Sequence, residues 1–238
     1  MQRYFVNEII DNQVMMSKEQ AHHILNVMRM HVGENITCVY QNHVFLAQIT
    51  QTSPLSIQIV KELNEDHELK CDVTLFYCLP KGDKIDLVMQ KATELGVKEI
   101  ILVNSERCIA KIKKEDQDKK FRRFNTICME ASEQSKRSFV PLVNKVINFK
   151  EIKNYDFDYK FIAYENEKDN FLYEKLKDVK PNQSIAILIG SEGGFSKNEV
   201  ELANSVGFSS VSLGKRILKS ETAVFYALSV IGFMIEGR

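Results

Sequence analysis

A chain of 238 residues that is 44% apolar and 27% charged has a globular composition, which excludes a disordered or fibrous protein. Its 32 basic and 32 acidic side chains cancel, so net charge argues neither for nor against a polyanionic partner. The five cysteines include no CxxC pair and read as reduced thiols in a cytosol, and Met1–Ile10 lacks the apolar stretch behind a basic one that marks a signal peptide.

The first 70 residues read as a small β-rich domain with one helix. Tyr4–Val6 is a short strand. Ser17–Met30 is a helix opened by a capping box of Ser17 and Gln20, with Ile24, Val27 and Met28 on one face. Ile36–Tyr40 and Val44–Thr50 alternate around Gln41-Asn42-His43 and suggest a hairpin, and Ser56–Leu63 alternates again. Asn64–Lys70 is the expected linker. This stretch holds five basic and eight acidic side chains.

From Asp72 the rhythm changes to strands alternating with helices. Val73–Leu79 is a strand, Ile85–Leu95 a helix closed by Gly96, and Glu99–Val103 a strand. Asp116–Lys136 is a long helix. Val140–Val143 and Lys160–Ala163 are strands, and Phe171–Val179 is helical. Two apolar runs, Ile185–Ile189 and Val211–Leu213, then end in Gly190 and Gly214, each followed by a loop and a helical pattern. The last helix, from Ala223 to Ile235, is apolar nearly all round and too short to span a bilayer. Such alternation predicts a parallel sheet covered by helices on both faces.

The two glycine-ended units carry the chemistry. Loops of this kind bring backbone N–H groups against a ligand at the carboxyl edge of a sheet. In Gly190-Ser191-Glu192-Gly193-Gly194-Phe195-Ser196 the paired glycines allow close approach, while Ser196 and Glu199 cap the next helix. Glu192 repels phosphate and suits a cationic or hydroxyl-bearing ligand. The loop is neither GxGxxG nor a Walker loop. An ordinary tight turn is the plain alternative. In the second loop, Ile217 and Leu218 form a wall for a planar base or pack on the core beneath, and Ser220 or Thr222 caps the helix that follows. Residues 107–137 gather ten basic side chains against five acidic ones, a phosphate-binding surface or a solvated helix face. No HExxH, Cys/His cluster or GxSxG elbow supports a metal or a hydrolase.

Taken together, Lys81–Val97 (KGDKIDLVMQKATELGV), Ser105–Cys108 (SERC), Glu130–Arg137 with Val140-Pro141, Ile189–Ser196 (IGSEGGFS) and Leu213–Ala223 (LGKRILKSETA) resemble the RsmE family. The start RYFV and the segment VMRMHVGENI are similar to that family's N-terminal PUA-like domain. The family pattern more often has Pro where Ser191 stands and Arg where Lys219 stands.

The resemblance implies an α/β fold: a SPOUT methyltransferase domain over 71–238, with a parallel sheet and a trefoil knot, behind a small β-barrel PUA-like RNA-binding domain over 1–70. It implies a cytoplasmic homodimer that uses S-adenosyl-L-methionine, and no metal, to methylate N3 of a uridine in 16S rRNA of the 30S subunit. Action on another RNA (tRNA, or a ribose 2′-OH) and RNA binding without catalysis are the alternatives. The cofactor-binding residues it implies are Ala163, Tyr164, Glu165, Ile189, Gly190, Glu192, Gly193, Gly194, Leu213, Gly214, Ile217, Leu218, Thr222 and Ala223. Arg3, Arg107, Lys111, Lys113, Lys114, Arg137 and Lys219 are the candidates for RNA contact. Arg3, Arg137, Glu130 and Gln134 are candidates for a catalytic role, and the residue that takes the N3 proton is not assigned.

Overall fold

The computed structural model describes residues 1–82 and 84–237. Asp83, in the charged turn Lys81–Lys84, and Arg238 lie outside the described residues. The chain divides into two compact units, one of residues 1–68 with 132–139 and the other of residues 69–131 with 140–238.

The first unit holds strands β1 (Arg3–Phe5), β2 (Glu8–Ile10), β3 (Gln13–Met15), β4 (Asn35–Tyr40), β5 (His43–Thr52) and β6 (Leu55–Leu63), hydrogen-bonded in the order β1-β4-β5-β6-β3-β2. β1 runs parallel to β4 and the other pairs are antiparallel. The β2–β3 hairpin was not expected. Its two-residue turn, Asp11-Asn12, has both φ angles positive, at 46° and 68°, the geometry that Asp and Asn tolerate best among non-glycine residues. Gln41-Asn42 turns the β4–β5 hairpin in the same way. The helix expected over Ser17–Met30 is interrupted. Its capping box forms as read, but α1 (Lys18–His22) gives way to a π-helix over His23–Val27. Tyr4 Oη lies 2.9 Å from His23 Nδ1, and the Met28 N–H reaches back five residues to the His23 carbonyl.

The second unit is built on a wholly parallel sheet of β7 (Asp72–Cys78), β8 (Glu99–Asn104), β9 (Val146–Asn148), β10 (Tyr159–Ala163), β11 (Ser184–Ile189) and β12 (Ser209–Val211), in the order β12-β10-β11-β7-β8-β9. Val73, Leu75, Phe76 and Tyr77 of β7 are fully buried, as a central parallel strand requires. Helices α2 (Lys84–Glu94) and α4 (Leu172–Lys175) both pack on α6 (Ser220–Glu236), while α5 (Lys197–Ser205) packs on β12 and a 3₁₀ turn at Phe149–Asn154. The long helix α3 runs from Lys114 to Gln134.

Three expectations shift. Val140–Val143 makes only a bridge from Leu142 to Glu99, and the edge strand forms at β9 instead. Pro141 has no N–H to give a ladder, and the Asn125 side chain takes both backbone groups of Val143 at 3.0 Å. Phe171–Val179 splits into α4 and a 3₁₀ turn, Leu176–Asp178. The twelfth strand ends at Val211, which releases Ser212 and Leu213 into the loop. None of the five cysteines forms a disulfide.

Candidate functional site

β12, β10 and β11 lie side by side, so the loops after their carboxyl ends converge, as ligand loops do in open parallel sheets. Between them lies a cavity of about 440 Å³, a size suited to a small organic ligand. Of the fourteen residues expected to bind cofactor, Ala163, Tyr164, Glu165, Ile189, Gly190, Glu192, Gly193, Gly194, Leu213, Gly214, Ile217, Leu218 and Ala223 line it, and Lys219 joins them. Thr222 does not. It sits exposed in the first turn of α6. Phe195, Ser212 and Ser220 line the cavity without having been expected there, and Ser191, Lys215 and Arg216 line it from within the two expected loops, Ile189–Gly194 and Leu213–Leu218.

The first loop is a tight turn closed by the Gly194 N–H donating to the Ser191 carbonyl at 2.9 Å. Gly194 has φ +62°, and a side chain on it would meet the Glu165 carboxylate at 3.0 Å. A Cβ on Gly190 would stand 3.2 Å from the Gly194 Cα. The Gly193 carbonyl accepts from Arg107 Nη1 at 3.0 Å, so the Ser105–Cys108 turn backs this loop. Glu199, 7% exposed, fastens the two layers: its carboxylate accepts from the Glu106 N–H at 2.7 Å and the Ser196 N–H at 2.9 Å. Beneath lies a thiol pair. Burial pushes the Cys78 thiol well up. Cys108, whose Sγ lies 3.1 Å from the Ser105 Oγ, is drawn down to about 6, chiefly by Cys78 and further by Ser105.

Glu192 is engaged rather than open. Its carboxylate accepts from the Lys81 N–H at 3.2 Å and lies 3.5 Å from Lys84 Nζ. Lys84 also donates to Glu221 at 3.2 Å, so one ammonium links the first glycine loop to the start of α6. Ser220 makes a second link. It does not cap α6, whose N-cap is Lys219 with no side-chain bond. Its Oγ donates to the Gly190 carbonyl at 2.6 Å and lies 3.1 Å from Tyr77 Oη. Ser220→Ala leaves that buried carbonyl without its donor. The expected loss is about 1–2 kcal/mol of stability and about a tenfold weaker cofactor affinity, 1.4 kcal/mol per decade, read by chemical denaturation and calorimetric titration.

The remaining candidates lie elsewhere. Arg3 and Arg137, expected as RNA contacts or catalytic groups, are each 3% exposed in the first unit. Arg3 Nη2 pairs with Glu65 at 2.5 Å, its Nε donates to Thr37 at 3.3 Å, and its Nη1 donates to the Lys136 and Arg137 carbonyls. Arg137 pairs with Glu68 at 2.5 Å and 2.9 Å. The segment expected to be a mere linker thus supplies both carboxylates. Glu130 and Gln134 are exposed on α3, and Lys111, Lys113 and Lys114 are exposed in the stretch before and at its start.

A model of the RNA methyltransferase domain matches residues 67–232, and one of the RNA methyltransferase PUA domain matches residues 17–62. The chain is 35% identical to the ribosomal RNA small subunit methyltransferase E of Bacillus subtilis, over 99% of this chain and 98% of that one. It is 34% identical to the protein of the same name from Mesomycoplasma hyopneumoniae, over 96% and 98%. The structure of a ribosomal RNA small subunit methyltransferase E from Neisseria gonorrhoeae bound to S-adenosyl methionine superposes with a TM-score of 0.85, at 32% identity over 97% of this chain and 96% of that one.

Proposed function

Because this chain belongs to the ribosomal RNA small subunit methyltransferase E family, we propose that it transfers a methyl group from S-adenosylmethionine to N3 of a uridine in 16S rRNA of the 30S subunit. The observation that carries the reading is the cavity at the carboxyl ends of three adjacent strands, walled by two glycine loops.

The residues fit the cofactor. The turn at Gly190–Gly194 exposes main-chain groups to a nucleoside, and added side chains at Gly190 or Gly194 would be crowded. Ile217 and Leu218 offer an apolar wall to adenine. Glu165, exposed at the rim, takes the ribose hydroxyls, since Glu192 is spent on Lys81 and Lys84. When bound, the cofactor supplies an electrophilic methyl on a sulfonium. The chain's task is to hold the nitrogen about 3 Å from that carbon and in line with the breaking bond. Uridine N3 carries a proton and lies on the pairing edge, so the base must be unpaired, and its anion must be stabilised. Lys215, Arg216 and Lys219, all exposed at the cavity, are the cations placed to do this. Arg107, Lys111, Lys113, Lys114 and Lys219 are the RNA contacts of the proposal. Arg3 and Arg137 hold the first unit together, which is the PUA-like RNA-binding domain of the reading.

The proposal extends to a trefoil knot, to a homodimer and to the cytoplasm. Convergence of the loops after β10, β11 and β12 supports the first. Phe233, 77% exposed, and Tyr226, 42% exposed, on the apolar helix α6 support the second. Ribosomal RNA as substrate supports the third, and among the described residues no helix is long and apolar enough to cross a membrane.

The test is titration of the purified protein with S-adenosylmethionine, followed by reaction with undermethylated 30S subunits and mass-spectrometric mapping of the product. Saturable binding and one new N3-methyluridine are expected. No binding up to millimolar cofactor, or a methyl group on a ribose or on tRNA, overturns the reading.

A further inference from the structure

The stretch between β8 and α3 is irregular but not featureless. Exposure alternates along it. Arg107, Ile109, Lys111 and Lys113 face solvent, while Cys108 is buried and Ala110 and Ile112 pack on the hydrophobic core of the second unit. Alternation with period two belongs to an extended backbone, in which every second side chain is ~6.6 Å from the last. From Arg107 to Lys114 the chain holds four cations and no acid. The flanking carboxylates are Glu106 and Glu115, and the Lys113–Glu115 pair is loose, 3.7 Å apart with both side chains about three-quarters exposed, which is worth little. Ile109 is 71% exposed between two of the cations. The row starts at the carboxyl edge of the sheet, where Arg107 touches Gly193 of the cofactor loop.

We infer that residues 107–113 form a track for a single-stranded RNA segment entering the cofactor cavity, with Lys111 and Lys113 on successive phosphates, Arg107 on a phosphate two steps from that of Lys111, and Ile109 against a base. The inference rests on the RNA methyltransferase reading and adds to it the strandedness of the RNA and a register of alternate residues. The spacing of the side chains is close to the phosphate step of an extended single strand, and apolar surface between cations is what an unstacked base covers. A duplex presents paired bases to neither.

The test uses the full-length protein, a uridine-containing single-stranded oligoribonucleotide and its blunt duplex, with affinity measured against salt. Replacing Lys111 and Lys113 together by Gln should lower single-strand affinity about tenfold or more and flatten the log–log salt slope by about 1.4, at ~0.7 per phosphate contact. Ile109→Ser should lower affinity by roughly tenfold through lost stacking while leaving the slope unchanged. The control pair, Lys177→Gln with Lys180→Gln, removes equal charge near the amino end of β11, on the opposite edge of the sheet, and should change affinity less than about twofold. Equal losses from both pairs, equal capture of the duplex, or no single-strand binding at low salt each overturn the track. S-adenosylmethionine titration and 30S methylation are run on the same samples. If these persist while the Lys111/Lys113 variant binds RNA normally, the track fails and the enzymatic reading stands; if they fail in the unaltered protein, the reading itself falls.

Discussion

Gly194→Val cuts S-adenosylmethionine affinity roughly a hundredfold, at 1.4 kcal/mol per decade, while the protein stays folded. Two effects combine. Gly194 occupies φ +62°, a region that a β-branched residue enters only with strain, of about 1–3 kcal/mol. The new side chain also meets both Glu165 oxygens, at 3.0 and 3.2 Å, and displaces the carboxylate assigned to the ribose. The turn relieves itself by rotating away, which gives up the Gly194-to-Ser191 hydrogen bond and moves the main-chain groups that face the cavity. Gly194 is half-buried in a turn whose Glu192 and Gly193 are exposed, and it contributes no side chain to the core, so the core has little to lose. Calorimetric titration beside circular dichroism checks the pair of outcomes. Retained affinity shows that the turn does not approach the nucleoside.

Arg3→Ala destabilises the first unit by about 2–3 kcal/mol and leaves kcat near its normal value at temperatures where that unit remains folded. Breaking a buried ion pair costs ~3–5 kcal/mol, but Glu65 keeps a third of its side chain in water, which lowers the figure. The guanidinium also serves Thr37 and two main-chain carbonyls, at Lys136 and Arg137, so its removal leaves buried acceptors without a donor. Arg3→Lys recovers part of the loss, because an ammonium keeps the charge without the planar fork. Thermal melting and single-turnover kinetics separate stability from chemistry. A collapse of turnover with melting unchanged returns Arg3 to the catalytic candidates.

The core strands and the glycine loops were legible because their signals are local. β8 and β11 carry the unbroken apolar runs Ile100–Val103 and Ile185–Ile189, β7 is apolar from Val73 to Cys78 but for Thr74, and both capping boxes form where Ser17 and Ser196 stand. The β2–β3 hairpin was legible in principle, since Asp11-Asn12 is a turn signal, but its strands are three residues long. The π-helix was not: its first residue, His23, meets Tyr4 across nineteen positions, a contact that no local pattern announces. Site residues divide in the same way. Backbone-lined positions follow from glycine spacing. The roles of Glu192, Lys84 and Ser220 follow from distant partners, Lys81 N–H for the first, Glu221 for the second and Tyr77 for the third, each over a hundred positions away, with Gly190 thirty positions from Ser220, and no pattern in the chain marks them in advance.

β7, the first strand of the parallel sheet to be synthesised, finds its neighbour β11 only when Asp72 meets Ser184, and the cavity closes only when Ser220 reaches Gly190. Until then a nascent chain carries a largely apolar strand bare along one side. Pairings of such long sequence separation are slow to form, and an uncovered edge recruits other chains. The parallel sheet is therefore incomplete until residues 184–189 are available and the cavity until Ser220 is, so cofactor capture follows assembly of the sheet.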